Sequence, residues 1–106
     1  MPYIVVFITA SSKEEADIIA NSLVDSRIAA CVNIVPGIKS IYTWKGNKEV
    51  SEECLLIAKT KQANFVKLKE RVKTLHSYDT PEIISVLMND ADDDYFNWIE
   101  EAISIR

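Results

Sequence analysis

Tyr3 to Ile8 is an unbroken run of β-branched and aromatic residues, the pattern of an inner strand buried on both faces. The period then changes. Ser11 and Ser12 stand three residues ahead of Glu14 and Glu15, the spacing at which a serine and a glutamate exchange hydrogen bonds at a helix start. Ala16, Ile19, Ala20, Leu23 and Val24 follow on one helical face, while Lys13, Asp17, Asn21 and Asp25 take the other. Ile28 to Val35 predicts a second strand, Pro36-Gly37 a break, and Ile38 to Trp44 a third strand. Lys45 to Lys48 predicts a turn, and Val50 to Thr60 a long strand around the apolar run from Cys54 to Ala58. Gln62 to Leu75 predicts a helix with Phe65, Leu68, Val72 and Leu75 inward and Lys67, Lys69, Arg71 and Lys73 in water. Glu82 to Met88 reads as the last strand. Asp90, Asp92, Asp93 and Asp94 then open a final helix, because carboxylates favour the positive end of a helix dipole. Tyr95, Phe96, Ile99 and Ile103 form its predicted core face, with Trp98 beside them.

These runs number five strands and three helices, and the plan nearest to them is β-α-β-β-α-β followed by a helix. It predicts an α+β domain of ferredoxin-like βαββαβ plan with an added C-terminal helix, both main helices lying on one face of an antiparallel sheet. A length of 106 residues fits a single domain over 1–106, and only 2 glycines and 3 prolines leave little room for linkers. The strands around Pro36-Gly37 are long for so small a domain. Long edges must be covered or paired, so an oligomer joined through strand edges is predicted.

Charge and composition remove several function classes. A formal net charge of −4 argues against a nucleic-acid backbone as partner, since that needs a clustered positive face. No segment has the apolar length of a membrane span, and the N-terminus lacks the charged and apolar regions of a secretion signal. Cys31 and Cys54 lie in apolar strand-like runs without metal or redox spacing, which predicts buried, reduced thiols and a soluble cytoplasmic protein.

Candidate chemistry concentrates between Leu75 and Ile83. The segment holds the chain's single histidine, His76, with Tyr78, Asp79, Pro81 and Glu82. Pro81 forces Thr80 out of helical geometry, so this is a connector of set shape. His76 is either a helix-terminal histidine held by hydrogen bonds or a metal ligand. Imidazole suits copper, zinc and nickel, and a thiolate such as Cys31 selects soft ions. One histidine and one thiol do not complete a site in one subunit. Glu82 or Asp79 could supply oxygen, or a second subunit could supply further donors. The Asp90, Asp92 and Asp94 spacing imitates a calcium loop with Glu101 at its twelfth position, but Tyr95 occupies the sixth, where glycine is needed. Calcium is therefore rejected. There is no nucleophile elbow, glycine-rich phosphate loop or acid–base pair of known spacing, so no enzyme is predicted. Tyr42, Trp44, Tyr95 and Trp98 serve packing, or else line a small-molecule cleft.

Several stretches together carry a family resemblance. Ala29 to Ile38, Ser40 to Gly46, Leu56 to Thr60, His76 to Ile83 and Asp94 to Trp98 resemble the CutA divalent-cation-tolerance family, in the expected order and over almost the whole chain. The resemblance implies a tight homotrimer similar in architecture to the nitrogen-regulatory PII proteins. It also implies a part in tolerance of divalent metals and weak binding of copper or another divalent ion, with no settled reaction. Cys31 fills the family's strand cysteine, and His76, Tyr78, Pro81 and Glu82 fill its connector motif. The implied metal candidates are therefore His76, Cys31 and Glu82. Trp44, Lys59, Tyr78, Tyr95 and Trp98 fill positions expected at an inter-subunit cleft. Two departures stand out: Ser77 replaces the proline that follows the histidine in many relatives, and Ile8 replaces a cysteine that some bacterial relatives carry. A PII-like signalling or interaction module that binds a small molecule or a partner protein is the alternative role.

Overall fold

In a computed structural model of the chain, residues 2–104 are described. They form β1 (Tyr3–Ala10), α1 (Lys13–Asp25), β2 (Cys31–Trp44), β3 (Asn47–Lys61), a 3-10 turn (Gln62–Asn64), α2 (Phe65–Leu75), β4 (Ile83–Leu87) and α3 (Asp93–Ile103). The sheet runs β2-β3-β1-β4 and is antiparallel throughout. This is the ferredoxin-like plan with an extra helix.

Pro36-Gly37 does not break the chain. The two runs on either side form one 14-residue strand, and the register slips between Val35 and Ile38. Val35 faces Leu55 and Ile38 faces Glu53, so Pro36 and Gly37 together oppose Cys54 alone. That is a bulge, which bends a strand without ending it. β2 tolerates it because it is an edge strand, where a proline's missing N–H can face away from the ladder, and because Gly37 adopts a φ of +74°. The turn is also tighter than the four residues predicted. Only Lys45 and Gly46, at φ of +51° and +80°, separate Trp44 from its partner Asn47. Two left-handed residues match the twist of a long hairpin.

The apolar stripes meet on one side of the sheet. Ile4, Val6 and Ile8 of β1 and Leu56 and Ala58 of β3 pack against Ala16, Ile19 and Leu23 of α1 and Leu68 and Val72 of α2. Val24, assigned to the same stripe, is 41% exposed. At 3.6 residues per turn it lies roughly 80° from the line of Ala16, at the margin of the face. The start of α1 is as predicted: Ser12 Oγ accepts the Glu15 amide at 3.1 Å.

The other face of the sheet is covered at one end only. There α3 sets Ile99 and Ile103 against Ala30, Tyr3 and Met88, and Tyr3 stacks on Phe96 at 4.9 Å between centroids. Tyr3 Oη donates to Glu100 at 3.0 Å, and Lys61 approaches the same carboxylate at 3.3 Å. Burial and that carboxylate push the Tyr3 phenol up, while its hydrogen bonds to Tyr3 and Lys61 hold Glu100 down. Beyond α3 no described residue covers this face. Val5 and Phe7, predicted to be buried on both sides, are only half-buried, and Val35, Ile84 and Val86 are exposed.

Candidate functional site

The connector from His76 to Glu82 is held from three directions. His76 is the residue on which α2 ends, and its extended backbone leads the chain out of the helix towards β4. Its side chain is fully buried. Nε2 lies 2.7 Å from the Thr9 carbonyl oxygen, and Nδ1 accepts the Tyr78 amide at 3.1 Å. A carbonyl only accepts and an amide N–H only donates, so these partners fix a neutral ring with its proton on Nε2. The Glu15 carboxylate, 3.7 Å from an unprotonated Nδ1, is then a neighbour and not an ion-pair partner.

Glu15 is the second anchor. Its Oε1 accepts from the Ser11 amide at 2.9 Å and the Ser11 hydroxyl at 3.1 Å, and its Oε2 accepts the Ser77 amide at 2.9 Å. Burial pushes this carboxyl up, but the hydrogen bonds from Ser11 and Ser77 outweigh it and leave Glu15 below its ordinary value. A proline at 77 would have no amide to give. The departure at Ser77 therefore supplies a tether between the connector and the start of α1.

Tyr78 is the third. Its ring leans on His76 at 4.8 Å between centroids, and its hydroxyl donates to Glu53 Oε2 at 2.9 Å. Burial first, then the hydrogen bond and charge of Glu53, push the phenol up to about 12. The connector and the β2–β3 hairpin together line a half-open cavity of about 620 Å³. Tyr42, Trp44, Glu53, Tyr78, Asp79 and Glu82 line it, with Thr9, Ser40, Ile41 and Thr80 between them. Tyr42 is steadied by a 3.0 Å hydrogen bond to Ser51.

The second group of predicted residues lies at the other end of the sheet. Cys31 opens β2 opposite Lys59, and both side chains reach Asn33 Oδ1, the thiol at 3.6 Å. Tyr95 stands beside them, its phenol pushed up by burial and by the Cys31 sulfur, and Tyr95 tilts against Trp98 at 5.6 Å.

Within one chain, His76 and Cys31 are not brought together. Cys31 pairs through Lys59 with Val5, whereas His76 sits on Thr9. Four residues of strand separate those positions, about 13 Å at the usual rise. Among the described residues, no three His, Cys, Asp or Glu side chains gather as metal ligands. The expected cleft set divides in the same way: Trp44 and Tyr78 face the cavity, and Lys59, Tyr95 and Trp98 accompany Cys31. Glu15 and Glu53 were not singled out from the sequence. The Ser12–Glu15 spacing signalled a helix start without the connector it also holds, and Glu53 looks like any polar strand residue.

The fold and the connector define a class: a small α+β domain of ferredoxin-like topology, with a cavity between the hairpin and the connector. The family profile for the CutA1 divalent ion tolerance protein matches residues 4–102. The chain belongs to this family. It is 50% identical to the divalent-cation tolerance protein CutA of Thermus thermophilus over 92% of this chain and 94% of that one. A solved structure of the Thermus thermophilus protein superposes with a TM-score of 0.92, covering 94% of this chain and 97% of that chain at 48% identity. The chloroplastic protein CutA of Arabidopsis thaliana is 42% identical over 96% of this chain, which spans 56% of its length. The structure of the periplasmic divalent cation tolerance protein CutA from Archaeoglobus fulgidus has a TM-score of 0.93 at 38% identity, covering 96% and 99% of the two chains.

Proposed function

We propose that the chain is a non-enzymatic, metal-response homotrimer that binds copper or another divalent ion weakly and works in the cytoplasm. The observation that carries the assembly is the open sheet face. Ile84, Val86 and Val35 are 53%, 53% and 41% exposed there, beside half-buried Val5, Phe7 and Ile57. An apolar face of this kind on a free subunit marks a contact surface. The cytoplasmic placement rests on two free cysteines. Among the described residues no helix is long and apolar enough to cross a membrane.

Weak metal binding follows from the state of the donors. His76 gives Nδ1 to an ion only by releasing the Tyr78 amide, which costs about 1–3 kcal/mol for an orphaned group, roughly 5- to 150-fold in affinity. Cys31 is half-buried on the open face and needs partners from another copy. The test joins native mass measurement with and without copper to copper titration of wild type, His76→Ala and Cys31→Ser. A three-chain particle with affinity lowered in the variants supports the reading. A stable single-chain species in dilute solution overturns the assembly, and unchanged affinity in both variants removes these donors.

The cavity favours a second reading, a PII-like module that binds a small molecule at a cleft. At about 620 Å³ it has the size of a metabolite site. Thermal stabilisation by metabolites with metal chelated separates this reading from the first.

A further inference from the structure

We propose that the cavity between the β2–β3 hairpin and the connector binds an organic cation, a protonated amine carrying an apolar arm. This inference rests on the small-molecule reading and assigns its ligand class.

Charge comes first. Every ionisable lining residue of formal charge is a carboxylate: Glu53, Asp79 and Glu82. Among the described residues, no lysine, arginine or histidine lines the space. An anion entering would meet three like charges, whereas a cation offsets them in a partly enclosed site where the local dielectric is low.

The second observation is the state of Glu53. The residue is only 6% exposed. Its Oε2 is taken by the Tyr78 hydroxyl, while among the described residues no hydrogen bond reaches its Oε1. Every fully buried side-chain oxygen among those residues has a partner. Oε1 therefore opens to the cavity as a free acceptor on an otherwise sealed side chain. Water reaches this oxygen, so a ligand N–H would take the place of a water there and gain a charge-assisted hydrogen bond.

The third observation is the aromatic wall. Trp44 and Tyr42 line the same space as the carboxylates, and Lys45 Nζ already lies 5.9 Å from the Trp44 ring centroid. Aromatic faces beside carboxylates recognise ammonium groups on organic frames. A bare divalent ion fits poorly, because it needs several oxygens converging at about 2.0–2.6 Å, and no such gathering exists among the described residues. An amine with a carbon arm can reach Glu53 while its arm lies on Trp44.

The experiment is an NMR titration of the full chain in EDTA at pH 7 with three probes of one shape: 2-phenylethylammonium, 2-phenylethanol and 3-phenylpropionate. Saturable shifts at the Trp44 indole and the Tyr78 and Thr80 amides are expected for the ammonium alone. Glu53→Gln keeps an acceptor for Tyr78 and should weaken the ammonium about tenfold or more, as expected for loss of a charged hydrogen-bond partner. Glu82→Gln, at an exposed position, should weaken it less while leaving the fold intact. Equal binding of the alcohol or the propionate at these residues overturns the cation class while leaving the small-molecule reading standing. No binding of any probe, shifts mapping elsewhere, or unchanged affinity in both variants overturns the inference. The assembly reading, judged by particle mass, is untouched by any of these results.

Discussion

Replacing Glu15 by alanine tests whether the connector is tied to α1 as the structure describes. The side chain is 11% exposed and accepts from the Ser11 amide, the Ser11 hydroxyl and the Ser77 amide. A hydrogen bond to a charged acceptor contributes about 1.5–3 kcal/mol when buried. The Ser77 side is solvent-exposed, so water recovers part of that contribution. Two amides losing a partly shielded carboxylate then correspond to a loss of about 2–4 kcal/mol. Glu15→Gln keeps one acceptor oxygen and should lose about 1 kcal/mol. Denaturant unfolding at fixed protomer concentration measures both, since the stability of an oligomer depends on concentration. The pH dependence gives a second readout. Glu15 is more acidic folded than unfolded, so its contribution is complete above the ordinary glutamate range, near pH 4.3. It is lost as pH falls through the lowered folded value. Glu15→Gln should flatten that part of the acid limb, and the Ser77 amide should exchange faster with solvent. A Glu15→Ala variant within about 0.5 kcal/mol of wild type, the scatter of ordinary surface changes, together with an unchanged acid limb, would refute the tether.

Three further outcomes follow from the same packing. Leu68→Ala, at a fully buried position of α2, should lose about 2–5 kcal/mol by chemical denaturation, because the core beneath two helices cannot close over the gap. Tyr78→Phe should remove a loss of stability above about pH 10. The unfolded chain's tyrosine ionises near 10 and the folded one near 12, so folding binds the extra proton in that window and weakens as pH rises through it. Phenolate absorbance during alkaline titration reports it, and wild type and variant falling together would exclude Tyr78 as the cause. Ile84→Glu places a charge on the open sheet face without touching the helix-side core, and native mass measurement should find single chains in place of the proposed assembly. An undiminished particle mass would move the contact surface elsewhere.

Much of the fold was legible because it depends on near neighbours. The α1 stripe from Ala16 to Leu23, the Ser12 cap on the Glu15 amide and the aspartates at the start of α3 act within a turn or two of chain, and they appear where the pattern puts them. Pro36-Gly37 was misread because the same dipeptide ends an inner strand but only bulges an edge one, and edge position is a property of the sheet. β1 was read as buried on both faces for a related reason. Its composition suits that burial, but α3 covers only one end of the second face in a single chain.

The amino-acid order by itself determined the helices, the positions of the strand runs, the helix-side core and the connector as the place to look, since periodicity and capping are settled by residues a few positions apart. Only the tertiary structure decided what the connector does. His76 meets Thr9 across 67 residues and Tyr78 meets Glu53 across 25, contacts set by strand register and helix docking. That register uses both nitrogens of the imidazole, separates it from Cys31 by about four strand residues, and opens a carboxylate-lined cavity.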